Sequence, residues 1–245
     1  MFVLRLLAAA CLALPLCVEG SREVYHRMLS LSGAQAPAGV RVGWTSGPGD
    51  ILGNGSSTVE FGLSPRALTE TAQGVNWTWV DVNNPFHGTN RSYTHHIVEL
   101  PSLRAGATYY YRCGDPDDGW SSVASFTAPR AIFSADAPLR VAVFGDLGLS
   151  NAQSLTSLQD EALRGADLFL SLGDYGYNLE YQDGAVGDAF QAAMESITST
   201  QMYQGVVGNH VRRMPRPLPR PAPGLPRSLR AHPPPPTWPL PALRR

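Results

Sequence analysis

Between Arg140 and His210 the chain repeats one pattern three times, a short apolar run closed by a polar tip. The runs are Val141-Ala142-Val143-Phe144, Leu168-Phe169-Leu170-Ser171-Leu172 and Tyr203-Gln204-Gly205-Val206-Val207. Apolar runs without alternation predict strands buried on both faces. Two stretches of helical spacing separate them. Leu155, Leu158, Ala162 and Leu163 fall at i, i+3, i+7 and i+8, with Ser150 or Asn151 placed to cap. Phe190, Ala193, Met194 and Ile197 follow Gly187 with the same kind of spacing. Strand–helix–strand–helix–strand predicts parallel strands joined by right-handed crossovers, with all three tips at one carboxyl edge. Three strands and two helices are expected to leave sheet faces and an edge uncovered.

Upstream the period changes to two. Val40, Val42 and Trp44 alternate with polar or small residues, as do Val59 with Phe61 and His96 with Val98 and Leu100. Tyr109, Tyr111 and Cys113 share one face, and Ala124 and Phe126 another. Clusters of Gly, Pro, Asn and Asp separate these runs at 46–55, 81–89 and 114–119. Short strands at this spacing predict a β-sandwich of the immunoglobulin or fibronectin-III kind over 21–135. The fold class expected is therefore multidomain β + α/β: a sandwich, then a partial α/β domain over 136–210.

The three tips hold the chemistry. Asp146, Asp174, Tyr177 and Asn209 offer two carboxylates, a phenolate and an amide oxygen. Hard oxygen donors suit hard cations, and tyrosinate is a known ligand of ferric iron. A carboxylate such as Asp174 can bridge two metals about 3.5–4 Å apart. Gly145, Gly173 and Gly208 precede these residues and permit sharp turns. A lone Gly-Asp after a strand is usually only a turn, and a Tyr three residues later is usually packing. Three such tips on one sheet edge reverse that balance. His26, His87, His95 and His96 all precede the sheet, and adjacent His95 and His96 must point to opposite faces of a strand. They carry no expected metal role.

Gly145-Asp146-Leu147-Gly148, Gly173-Asp174-Tyr175-Gly176-Tyr177 and Gly208-Asn209-His210 resemble the first three metal-binding blocks of the purple acid phosphatases, members of the metallophosphoesterases. Val40-Arg41-Val42-Gly43-Trp44, Tyr109-Tyr110-Tyr111-Arg112-Cys113-Gly114 and Trp120-Ser121-Ser122 resemble the amino-terminal domain of the plant-type members. The resemblance implies that Asp146 and Tyr177 hold Fe(III), that Asp174 bridges it to a divalent zinc, manganese or iron, and that Asn209 holds the second metal. It implies that His210 contacts the phosphate or assists the leaving group. The implied reaction is hydrolysis of a phosphate monoester, and the implied assembly is a homodimer. The family's two later blocks, with three histidine ligands, have no counterpart here. Val211 stands where the family places Glu or Asp.

The remaining features set the context. Arg5, the apolar run Leu6 to Leu16, and Val18 with Gly20 predict a cleaved signal peptide over 1–20, so the chain is expected in the secretory pathway. The apolar run is shorter than the ~20 residues a bilayer span requires, so no membrane partner is expected. Asn54, Asn76 and Asn90 each begin an Asn-x-Ser/Thr triplet, expected on surface loops as glycan acceptors. Cys11 and Cys17 would leave with the signal, and Cys113 alone forms no internal disulfide. Residues 211–245 hold twelve prolines and eight arginines and no acid, against a net charge of −9 upstream. This tail is expected to be disordered or polyproline-like. A basic arm for nucleic acid and a proline-rich ligand are set aside, because a secreted chain would seldom meet either partner. Translation past a splice or frame error explains the abrupt change after His210 better. Two functional readings follow. The first is an acid phosphatase-family chain impaired by truncation after the third block. The second is a non-catalytic, glycosylated, secreted β-sandwich.

Overall fold

The computed structural model describes residues 24–32, 39–46, 56–80, 92–117, 119–130, 138–149, 154–177, 179, 181–182 and 184–208. The expected signal peptide, Asn54, Asn90, His87, Asn209, His210 and the proline-rich tail lie outside them.

The sandwich is built as the period-two pattern predicts. One layer holds β1 (Val24–Leu31), β2 (Val40–Ser46), β6 (Ser92–Leu100) and β5 (Val75–Val80), paired antiparallel in the order β1-β2-β6-β5. The other holds β4 (Glu70–Gln73), β3 (Thr58–Gly62), β7 (Thr108–Asp115) and β8 (Gly119–Trp120), with β9 (Ala124–Thr127) also on β7. Val40, Val42, Trp44, Val98 and Leu100 from the first layer meet Val59, Phe61, Tyr109, Tyr111 and Phe126 from the second. The chain changes layers between β4 and β5 at Gly74, where any Cβ would strike the Ile97 carbonyl. His96 faces this interior at 4% exposure; its ring nitrogens meet Ser46 Oγ and Ser57 Oγ, each at 2.9 Å. His95 faces the other way, against Trp77.

The α/β part follows in the predicted order: β10 (Val141–Phe144), α1 (Leu155–Leu163), β11 (Leu168–Ser171), α2 (Ala185–Thr198) and β12 (Met202–Gly205). Its three strands are parallel. Phe169 lies under Leu158, Phe190, Met194 and Ile197 in a separate apolar cluster. Three expectations need correction. The cap of α1 is Ser154, without a side-chain bond, and Leu163 is 87% exposed because the helix ends there and turns away at Gly165. The strands are not buried on both faces. Ala142 and Phe169 lie under the helices, but Val141 and Val143 on the opposite face are 39% and 54% exposed. Asn76 sits in β5 rather than in a loop, and its Nδ2 donates to Ser57 Oγ at 3.1 Å.

The edge of the three-stranded sheet at β12 is filled. β1 pairs parallel to β12, Leu29 opposite Met202, so sandwich and α/β strands form one seven-stranded sheet in the order β10-β11-β12-β1-β2-β6-β5. Met202 thereby joins the sandwich core, with Leu168 packed against it. Polar bonds lock α2 over this junction. Arg27 Nε meets Glu195 Oε1 at 2.7 Å, Thr198 Oγ1 donates to the Arg27 carbonyl at 2.7 Å, and Tyr111 OH donates to the Ser199 carbonyl at 2.8 Å. Tyr93 OH reaches both carboxylate oxygens of Asp188, at 3.0 and 3.1 Å.

Two outcomes follow. Glu195→Ala leaves the largely buried Arg27 guanidinium without its carboxylate, and urea unfolding is expected to lose about 2–3 kcal/mol. The pair Arg27→Met with Glu195→Leu should recover most of that loss. Burial, and after it the neighbouring His26, hold the His95 imidazole below the ordinary histidine range. A depressed histidine contributes stability that is full above about pH 6.5 and is lost as pH falls through the folded value. Urea midpoints measured against pH should therefore fall less steeply below about 6.5 in His95→Gln than in the parent chain.

Candidate metal centre

Each parallel strand ends in a tip, and the backbone knits the tips together. The amide of Leu172 donates to the Phe144 carbonyl at 2.8 Å, and that of Val206 to Ser171 at 3.1 Å. Beyond the strands, Asp146 N meets the Gly173 carbonyl at 3.2 Å and Gly176 N the Leu147 carbonyl at 2.8 Å. Gly148 and Gly176 form a parallel bridge. The first two loops therefore continue the sheet for one more rung. Leu147 anchors this rung in the apolar cluster beneath the helices, at 2% exposure.

On that rung Asp146, Asp174 and Tyr177 all have left-handed backbone, with φ of 54°, 47° and 38°. Such a conformation costs an L-residue roughly 1–2 kcal/mol, least for Asp and most for a bulky side chain such as Tyr. Strain gathered at three residues of two neighbouring tips is characteristic of sites held for chemistry. Its effect is visible in the side chains. Tyr177 OH donates to Asp146 Oδ1 at 2.9 Å, which brings a phenol and a carboxylate from two loops to one point. Asp146 first, through that bond and its charge, and Asp174 also, hold the Tyr177 phenol above the ordinary tyrosine range. Asp174 stands three residues before Tyr177 on the same tip, and its charge bears on that phenol.

The third tip contributes a seat. A Cβ on Gly208 would collide with the Asp174 carboxylate and its backbone nitrogen, so glycine alone lets β12 close on Asp174. The sequence motif marks Gly208 only as a turn residue, yet it has no positive φ; close approach is its role. Gly173, by contrast, does turn the chain with φ of 105°. Two hydroxyl-bearing rings lie in this layer of the fold: Tyr175 stacks on Phe190 at 6.1 Å, and Tyr203 lies 6.3 Å from Phe144. Burial raises the pKa of both phenols. Neither was among the residues expected near the site.

Of the expected set the structure brings Tyr177 onto Asp146 and seats Asp174 of the same tip against Gly208, while Asn209 and His210 lie outside the described residues. Among the described residues no three His, Cys, Asp or Glu side chains form a metal-binding group. The donors that do converge are all oxygen, two carboxylates and a phenol, and this set fits a hard, highly charged cation.

The purple acid phosphatase N-terminal domain family matches residues 26–128. Acid phosphatase type 7 of Mus musculus is 32% identical over 210 residues, covering 83% of this chain and 45% of that protein. The Homo sapiens protein of the same name is 33% identical over 196 residues, with 79% and 42% covered. Purple acid phosphatase 21 of Arabidopsis thaliana is 30% identical over 157 residues, with 64% and 32% covered. Among solved structures, a purple acid phosphatase from yellow lupin (Lupinus luteus) seeds matches with a TM-score of 0.58 at 23% identity, covering 77% of this chain and 36% of that one. The resemblance read from the motifs is borne out, and so is the β-sandwich of the fold class. The chain spans somewhat under half the length of the type 7 relatives.

The seat at Gly208 is testable by iron retention after gel filtration. Gly208→Ala should displace Asp174 and lower retained iron at least tenfold. Gly145→Ala, whose added Cβ meets Leu172 Cβ at an ordinary 3.5 Å, should retain iron as the parent does. Equal iron in the two variants would dismiss the seat.

Proposed function

From the premise that this chain carries the N-terminal domain of the purple acid phosphatases, we propose that its strand tips form part of a binuclear site for hydrolysis of phosphate monoesters under acid conditions. The observation that carries the reading is the convergence of Tyr177 OH on Asp146 Oδ1, with Asp174 close enough to bear on the same phenol.

Asp146 and Tyr177 would hold Fe(III), Asp174 would bridge to a divalent zinc, manganese or iron, and Asn209 would hold that second ion. When bound, such a metal pair supplies positive charge for the phosphoryl oxygens and acidifies water at the site. The chain's own groups prepare for this. Tyr177 keeps its proton beside Asp146, and as a phenolate it would be a hard oxygen ligand for Fe(III). Gly208 fixes Asp174, and the Gly148–Gly176 rung fixes the spacing of the two loops. His210 would face the substrate, meeting the phosphate or protonating the leaving oxygen. Secretion after removal of 1–20, with glycans on the triplets that begin at Asn54 and Asn90, completes the proposal.

The non-catalytic reading keeps one observation in its favour. The sandwich core is closed on both layers, whereas Val141, Val143, Leu172, Val206 and Val207 of the α/β part are 39–64% exposed. The assays separate the two readings. Asp174→Ala should lose iron and any iron-dependent hydrolysis of an aryl phosphate, while Asp160→Ala, on the exposed face of α1, should not. Tyr177→Phe should lose the visible tyrosinate–iron absorption. A chain that folds, binds no iron and is unaffected by Asp174→Ala would leave the non-catalytic reading in place.

A further inference from the structure

We propose that Leu179, wedged between Gly176 and the first turn of α2, is a positioning residue that holds the Tyr177 phenol on Asp146. Its consequence for iron rests on the proposed role of Tyr177 as a ligand; the placement itself is a property of the metal-free chain.

Tyr177 has left-handed backbone, with φ of 38°, which is unfavourable for a bulky L-residue. Such a conformation lasts only where the surroundings hold the chain in place. Upstream the hold is the rung, where Gly176 N donates to the Leu147 carbonyl at 2.8 Å. Downstream it is Leu179, two residues after Tyr177. The Leu179 carbonyl accepts from Gly187 N, in the first turn of α2, at 3.1 Å. Its side chain returns to Gly176, where any Cβ would strike Leu179 Cδ2 and come within 3.4 Å of Phe190 Cδ1. An ordinary core leucine would meet the apolar cluster with its side chain alone. Leu179 packs against that cluster and also engages α2 through its backbone.

Two glycines admit the wedge. Gly176 turns the chain with φ of 77°, and its bare α-carbon receives the leucine side chain. At Gly187 helix propensity argues against glycine. Close approach requires it there, because a Cβ would lie 2.9 Å from the Leu179 carbonyl oxygen and 3.4 Å from Leu179 Cβ. The wall behind the wedge is firm. Asp188, next to Gly187, takes the Tyr93 hydroxyl of β6, and Glu195 takes Arg27 of β1. The sandwich thus reaches Tyr177 through α2 and one leucine.

The test uses the full chain, metal-free, with tyrosine labelled at Cζ for NMR at one neutral pH. The Tyr177 resonance, identified by its loss in Tyr177→Phe, reports the bond to Asp146, and Asp146→Ala gives its position without that bond. In Leu179→Ala the resonance should move at least half of the way to that position, whereas Leu179→Met should leave it in place. Ile197→Val trims the same apolar cluster further along α2, so it should lower the urea midpoint without moving the resonance. After iron loading, tyrosinate–iron absorption per bound iron should fall at least threefold in Leu179→Ala and stay unchanged in Ile197→Val. Should Leu179→Ala fail to fold, Gly187→Ala decides on the same readouts, since alanine favours the helix and the contact with Leu179 opposes it. A Tyr177 resonance that stays in place in these variants overturns the wedge, whatever iron does. A resonance that moves as expected in a chain whose parent shows no tyrosinate–iron band upholds the wedge and refutes Tyr177 as a ligand.

Discussion

The pairing of β1 with β12 is the contact on which the rest of the structure depends. A three-stranded parallel sheet with two helices cannot cover its own edges. By lying beside β12, β1 gives the α/β strands a second neighbour and extends the sandwich core to Met202 and Leu168. It also sets α2 above the junction, where Arg27, Glu195, Thr198 and Tyr111 exchange charge and hydrogen bonds in a partly dry layer. Burial of such groups is tolerated only when each finds its partner. The sandwich is in this sense the support on which the strand tips are held.

Consequences run outward from that support. A fixed sheet fixes the carboxyl ends of β10, β11 and β12, and the extra rung at Gly148 and Gly176 carries the register into the loops. Register then places Asp146 against Tyr177 and presses Gly208 onto Asp174. The left-handed backbone at Asp146, Asp174 and Tyr177 is sustained because the surrounding bonds over-determine it. Cover is incomplete on one side. The sandwich's second layer shields β12 and part of β11, and β10 overhangs it with Val141 and Val143 in the open.

Much of this was legible beforehand, for identifiable reasons. Alternation at Val40-Val42-Trp44 and at Tyr109-Tyr111-Cys113 named the sandwich core correctly, since period two leaves little freedom about which face is buried. The helical faces through Leu158 and through Phe190, Met194 and Ile197 were also legible. β1 was not. Its register breaks between Tyr25 and Met28, with His26 at φ of 54°, so no single period runs through it. β5 was hidden by its own alternation, which sets its large apolar residues outward. At the site, residue types pointed to Asp146, Asp174 and Tyr177, but their strained backbone and the seat at Gly208 are properties of loops meeting in space. No local pattern records them.

The central claim is that the three tips form one cation site. Anomalous scattering from crystals of the iron-loaded chain, collected on either side of the iron absorption edge, tests it most directly. The account predicts a peak within bonding distance of Asp146 and Tyr177, with Asp174 beside it. A well-ordered sheet edge with no iron there, or iron bound only at other residues, would contradict it.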